Sequence, residues 1–111
     1  MATVTQTLLV PPIQMTSSDA AYYTAPNLTT AKIGRAVFCN TDTAAHTITI
    51  NIASGASSAA NELIQTLSIA PGQTYVSQEL SGQVIPAGFA LRGLASTAAM
   101  VTMTVSGVTI V

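Results

Sequence analysis

Charge is scarce in this sequence. Seven of its 111 residues are charged, three basic and four acidic, for a formal net charge of −1. They are Asp19, Lys32, Arg35, Asp42, Glu62, Glu79 and Arg92. This 6% share, against about 25% in ordinary soluble domains, leaves no basic stripe for nucleic acid or an anionic membrane. Tryptophan is absent, and the aromatic residues Tyr22, Tyr23, Phe38, Tyr75 and Phe89 are scattered, so no sugar-stacking groove is legible. The single cysteine, Cys39, excludes an internal disulfide framework and fits folding in a reducing cytosol. No apolar run approaches the ~18 residues of a membrane-spanning helix. The start, MATVTQTLLVPP, lacks the charged and apolar regions of a secretory signal, so none is expected.

Thr, Ser and Ala fill the space that charge leaves. Two readings of that surface stand together. Hydroxyls can clothe the solvent face of a β domain, or the surface can be buried against partners, where Lys, Glu and Asp are depleted. At this length a single domain is expected, with roughly 65% of the unfolded chain's area buried on folding.

The pattern along the chain is that of short strands. The firmest stretch is Leu67 to Ala95, where Ala70-Pro71-Gly72 and Pro86-Ala87-Gly88 each make a turn, because Pro presets φ and Gly supplies a positive one. Thr3 to Val10 alternates weakly and meets Pro11-Pro12, which a central strand does not tolerate. Residues 1–19 are therefore expected to form an N-terminal arm or edge strand, and residues 20–111 the domain. Tyr22 to Thr24 is a short strand. Thr30 to Asn40 is longer, with Ile33, Val37 and Cys39 in one parity and a bulge or edge expected near Gly34. Ile48, Ile50 and Ile52 alternate with Thr47, Thr49 and Asn51, predicting one buried and one polar face, in a hairpin with the preceding strand. Ser54 to Asn61 is an expected loop or the start of a helical turn. Leu63, Leu67 and Ile69 run in phase, Tyr75-Val76 and Val84-Ile85 are short strands, and Phe89 and Leu91 are expected to face inward. Val101, Met103 and Val105 form the last strand, with a phase change at Gly107 that turns Val108 and Ile110 inward. About eight antiparallel strands and no long helix predict an all-β single domain, a β-sandwich or jelly roll.

Chemistry is sparse. Cys39, Asp42 and His46 lie close in sequence, but a zinc site wants three or four ligands and no second His or Cys exists to complete one. Cys39 reads better as a small packed hydrophobe and His46 as a partly solvated strand residue. Glu62 and Glu79 read as solvated loop charges, and Arg92 has the option of pairing with Glu79 across the loop at little energetic gain. Tyr22-Tyr23 is a candidate interface anchor. No nucleotide-binding or nucleophile-elbow motif is present. No catalytic, cofactor or metal residues are expected, and the chain is expected not to be an enzyme.

Tyr23 to Pro26, the strand ending in Cys39-Asn40-Thr41, the Pro-Gly turn before Ala87-Gly88-Phe89-Ala90-Leu91, and the Ser106-Gly107 step resemble small structural proteins of tailed bacteriophages. Phe89 is a departure, since many relatives carry a polar residue there. The resemblance implies a virion location after synthesis in the host cytoplasm. It also implies a homo-oligomer, dimer or trimer, that binds the major capsid protein or other virion proteins, with neither nucleic acid nor membrane as partner. Capsid decoration or cementing is the first expectation, and a neck, head–tail or tail-fibre component the second. A small carbohydrate- or receptor-binding module is the alternative from another class. The expected contact elements are residues 1–19, the 54–61 loop and the 77–83 loop.

Overall fold

The computed structural model describes residues 3–54 and 61–111. Its strands are β1 (Val4–Gln14), β2 (Ala20–Thr24), β3 (Thr30–Asn40), β4 (His46–Ala53), β5 (Glu62–Ile69), β6 (Thr74–Val76), β7 (Val84–Ile85), β8 (Ala90–Ala95) and β9 (Val101–Ile110). Every pairing is antiparallel. One sheet runs β1-β9-β3-β6, with β7 sharing the β6 side of β3; the other runs β2-β8-β4-β5. The chain is folded back on itself, with β4 beside β5, β3 beside β6 and β7, β2 beside β8, and β1 beside β9. This long hairpin, wrapped into two sheets of four strand positions, is a jelly roll. The all-β single-domain expectation therefore holds. β6 and β7 together occupy one position.

Alternation seats the core between the sheets. Ala36, Phe38, Val101, Met103 and Val105 project from one sheet, and Ile48, Ile50, Leu91 and Ala95 from the other, all fully buried. β4 does not make the expected hairpin with β3, since its partners are β5 and β8. The 41–45 connection instead arches from one sheet to the other. Buried Asn40 holds that arch: its Nδ2 donates to Ala44 O and Ile69 O (both 2.9 Å), and its Oδ1 accepts the Asp42 amide (3.0 Å). Ile48 and Ile50 are buried as expected, but Ile52 is half-buried. Asn51, still in register opposite Arg92, is only 1% exposed, so the outer face is not uniformly solvated.

Bulges account for most of the remaining differences. Along β3 every residue of β9 from Val101 to Ile110 has a partner, and the extra residues lie on the neighbours of β9: Gly34 in β3, and in β1 Leu9 and a further one between Val10 and Ile13. The expected bulge near Gly34 is present. It reverses the parity of β3, so that Ala31 and Ile33 face inward before it and Ala36, Phe38 and Asn40 after it. Val37 and Cys39 lie on the outer side. Because β9 keeps its own parity, Val108 and Ile110 pair with Lys32 and Thr30 on the outer face rather than turning inward. In β5 three residues oppose two of β4, with Thr66 at φ 44°, and Ile64 rather than Leu63 reaches the core. Phe89 is half-buried against the core, and Leu91 is fully buried.

β1 continues through Pro11-Pro12 to Gln14 as an edge strand, with a register shift at the prolines. An edge position needs no amide donors on its open side, which is why the prolines fit. Leu9, Val10 and Met15 are buried in the core. Removing residues 2–12 would therefore take an edge strand and two core side chains with it. The loop expected at residues 54–61 falls mostly on 55–60, outside the described residues.

Candidate functional site

Two side-chain clusters and one sheet face comprise what the fold assembles. The first cluster braces the inter-sheet arch. His46 Nε2 lies 2.7 Å from Asp42 Oδ2, and its Nδ1 lies 3.3 Å from Ser96 Oγ, which accepts the Thr47 amide at 3.0 Å. Sequence reasoning brought Asp42 and His46 to attention but missed Ser96. It lies 50 positions away in a Ser/Thr-rich loop, and no local signal marks it. Cys39 is not gathered here, since it lies on β3 beside Thr102 and Thr74. Among the described residues no group of three His, Cys, Asp or Glu side chains could hold a metal. The serine, imidazole and carboxylate line up, but the serine oxygen is engaged by a backbone amide and its ring contact is long for proton transfer. What the cluster does is tie β4, the arch and the loop after β8 together.

The His46 hydrogen bond, then the Thr43 amide, holds the Asp42 carboxyl below its usual range. A depressed folded-state value means this stabilisation is present above the ordinary carboxylate range and is lost as pH falls through the lowered value. Asp42→Asn is accordingly expected to lower the melting temperature near neutral pH, with the gap to wild type closing as pH falls below the ordinary carboxylate range. Thermal melts across that range measure it, and a gap that is constant with pH would contradict the pairing.

The second cluster sits on the 77–83 loop. Tyr75 Oη donates to the Glu79 carboxylate, and burial, with Glu79 next, raises the Tyr75 phenol above its usual value. Arg92 does not meet Glu79. It grips Asp19 Oδ2 through Nε (3.0 Å) and Nη2 (2.6 Å), joining the segment before β2 to β8. Tyr22 Oη accepts the Thr16 amide (3.0 Å), and both Tyr22 and Tyr23 pack partly against the core. Burial raises the Tyr23 phenol.

The loop was expected to be a contact surface, but it is fastened to the edge of β3. Gly82 N–H donates to Ile33 O (2.7 Å), Ile33 N–H to Gln83 O (2.8 Å), Ser77 N–H to Ala36 O (3.0 Å), and Ser81 Oγ to Gly34 O (3.0 Å). Leu80 is fully buried and its amide donates to Ser77 Oγ. The loop thus fills the gap that the Gly34 bulge opens between β6 and β7.

The outer face of the β1-β9-β3-β6/β7 sheet is the surface that stands out. Strand pairing places Val4, Leu8, Val76, Val84, Val108 and Ile110 on it. Val4 is 62% exposed, Leu8 47%, Val76 46% and Val84 47%. Lys32 and Arg35 are its charged residues, both exposed, and neither forms an ion pair among the described residues. A shallow groove crosses this face where the two bulges align, lined by Gln6, Thr7, Leu8, Gly34, Arg35, Ser106, Gly107 and Val108. Exposed apolar area of this kind, with a sparse cationic accent, fits a macromolecular surface. Alternation along β9 alone does not show this face, because the apolar change of phase at Gly107 suggests that Val108 and Ile110 turn inward, whereas strand pairing sets them outward.

No family model and no curated protein matches the chain. Among solved structures, a chain in the structure of infectious bursal disease virus, Gx strain, is similar in fold, with a TM-score of 0.52 at 12% identity. The likeness covers 99% of this chain and 31% of that one, so this chain spans under a third of its length.

Proposed function

We propose that this protein is a virion structural protein that works by surface contact rather than by chemistry, and specifically a capsid decoration or cementing protein of a tailed bacteriophage. The observation that carries the reading is the apolar outer sheet face, where Val4, Leu8, Val76 and Val84 are exposed together on one sheet of a domain poor in charge. A fold shared with a chain from a virus structure, and the sequence resemblance to phage particle proteins, support it. Copies seated across junctions of major capsid subunits would each add a modest contact, and multivalent placement would raise avidity without strong single contacts. Few charges on the mating face keep the desolvation cost low.

Val76→Glu with Val84→Glu tests this. Both side chains are exposed, so the domain should fold and melt near wild type, while a carboxylate pressed into an apolar contact should cut particle occupancy about tenfold or more. Quantitative mass spectrometry of purified particles reads occupancy, and unchanged occupancy would overturn the assigned face. The same measurement sorts the assignment: a copy number of the order of the capsid subunits means decoration, and a single ring's worth means a neck or fibre component.

A further inference from the structure

We propose that the protein forms a two-fold dimer by pairing β1 with β1 of a second copy, antiparallel and centred on Gln6. Among the described residues the jelly roll has four open sheet edges, and three of them are interrupted. β6 and β7 are separated by the fastened 77–83 loop. β2 has five residues, is bulged at Tyr22 and is flanked by Asp19. β5 starts at Glu62 and is broken at Thr66, where φ is positive. Short, bulged or charged edges are how natural sheets avoid adding strands. β1 differs. From Val4 to Leu8 it pairs with β9 without a register break, and no residue from 3 to 18 carries charge.

The occupant follows from the sequence of this run and its hydrogen bonds. Thr3 and Val111 exchange both amide–carbonyl bonds, at 2.8 and 3.0 Å. Alternation then turns the amides and carbonyls of Thr5 and Thr7 to β9 and those of Val4, Gln6 and Leu8 outward. Val4-Thr5-Gln6-Thr7-Leu8 is symmetric in kind about Gln6: apolar, Thr, Gln, Thr, apolar. A two-fold axis there sets Gln6 against Gln6, Thr5 against Thr7 and Val4 against Leu8. The three outward-facing positions meet one another, giving six main-chain hydrogen bonds between copies. A two-fold axis also sets an edge against a copy of itself, so an edge carrying charges of one sign would repel itself, and this one has no charge to repel. The apolar ends of the two outer faces become contiguous across the axis. One strand edge buries less than the roughly 800 Å² per partner of standard stable interfaces, so the dimer is expected to be a weak one that forms as concentration rises.

The dimer holds whether or not the virion reading does, since it involves no other protein. Light scattering from about 1 to about 200 µM should show the mass rising from 11.3 kDa towards twice that value. Val4→Lys with Leu8→Lys sets like charges opposite and should keep the protein monomeric throughout. Val4→Lys with Leu8→Glu sets opposite charges across the same axis and should restore the dimer. Circular dichroism checks that each variant is folded. Should the charged variants fail to fold, Gln6→Pro removes an outward amide without touching the bonds to β9 and should also give monomer. A wild-type mass fixed at 11.3 kDa, an assembly other than a dimer, or equal behaviour of the two charge variants would overturn the proposal.

Discussion

Gly107→Ala is expected to destabilise the protein by about 3 kcal/mol, while Gly34→Ala, in the adjacent strand at the same level, should stay within about 1 kcal/mol of wild type. A Cβ on Gly107 would lie 2.1 Å from Lys32 O, 3.1 Å from Gly34 N and 3.1 Å from Leu9 Cδ1. The first two are backbone atoms of β3, which no rotamer change can move. Relief requires displacing β3 or β9 at the point where both neighbours of β9 carry their extra residue. At Gly34 the nearest atom to a new Cβ is Ser106 O at 3.4 Å, close to ordinary contact. Urea titration of the two variants measures the contrast. Equal stabilities would mean that the paired bulges are not where the registers put them.

Leu80→Ala is expected to cost about 2–5 kcal/mol, the range for emptying a fully buried leucine site. For a surface loop between two short strands the ordinary expectation is near zero. The difference arises because the 77–83 segment closes the sandwich beside β3: its amides and carbonyls complete the ladder that β6 and β7 leave open, and Leu80 is driven beneath it. Ser81→Ala, which removes only the bond to Gly34 O, should cost about 1 kcal/mol. A Leu80→Ala loss below that of Ser81→Ala would show the loop to be peripheral.

Strand positions were legible from alternation and turn chemistry. Thr30 to Asn40 matches β3, and both Pro-Gly turns carry glycines with positive φ at Gly72 and Gly88. Which side chains face inward was less legible, and the reason is physical. A parity break in one strand can arise from an extra residue in the strand beside it, which leaves no mark on the strand that seems to change phase. Val108 and Ile110 in β9 are outward because β9 is regular and the extra residues, Leu9 and Gly34, lie on β1 and β3. The arch between β3 and β4 reads as a hairpin because short connections usually join paired strands, whereas β4 pairs with β5 and β8 in the other sheet and the buried Asn40 amide bonds across to Ile69. The charges misled in the same way. Glu79 is the acidic residue nearest to Arg92 in sequence, yet Arg92 meets Asp19, 73 positions earlier. The candidate contact face required the whole register, since it draws on β1, β3, β6, β7 and β9.

On the proposed reading, this jelly roll is a particle component attached through the outer face of its β1-β9-β3-β6/β7 sheet. A cryo-EM reconstruction of virions assembled in its presence tests that directly. Density for the domain is expected at junctions of major capsid subunits, with Val76 and Val84 covered by the shell. Particles lacking the domain, or a domain bound with that face open to solvent, would contradict it.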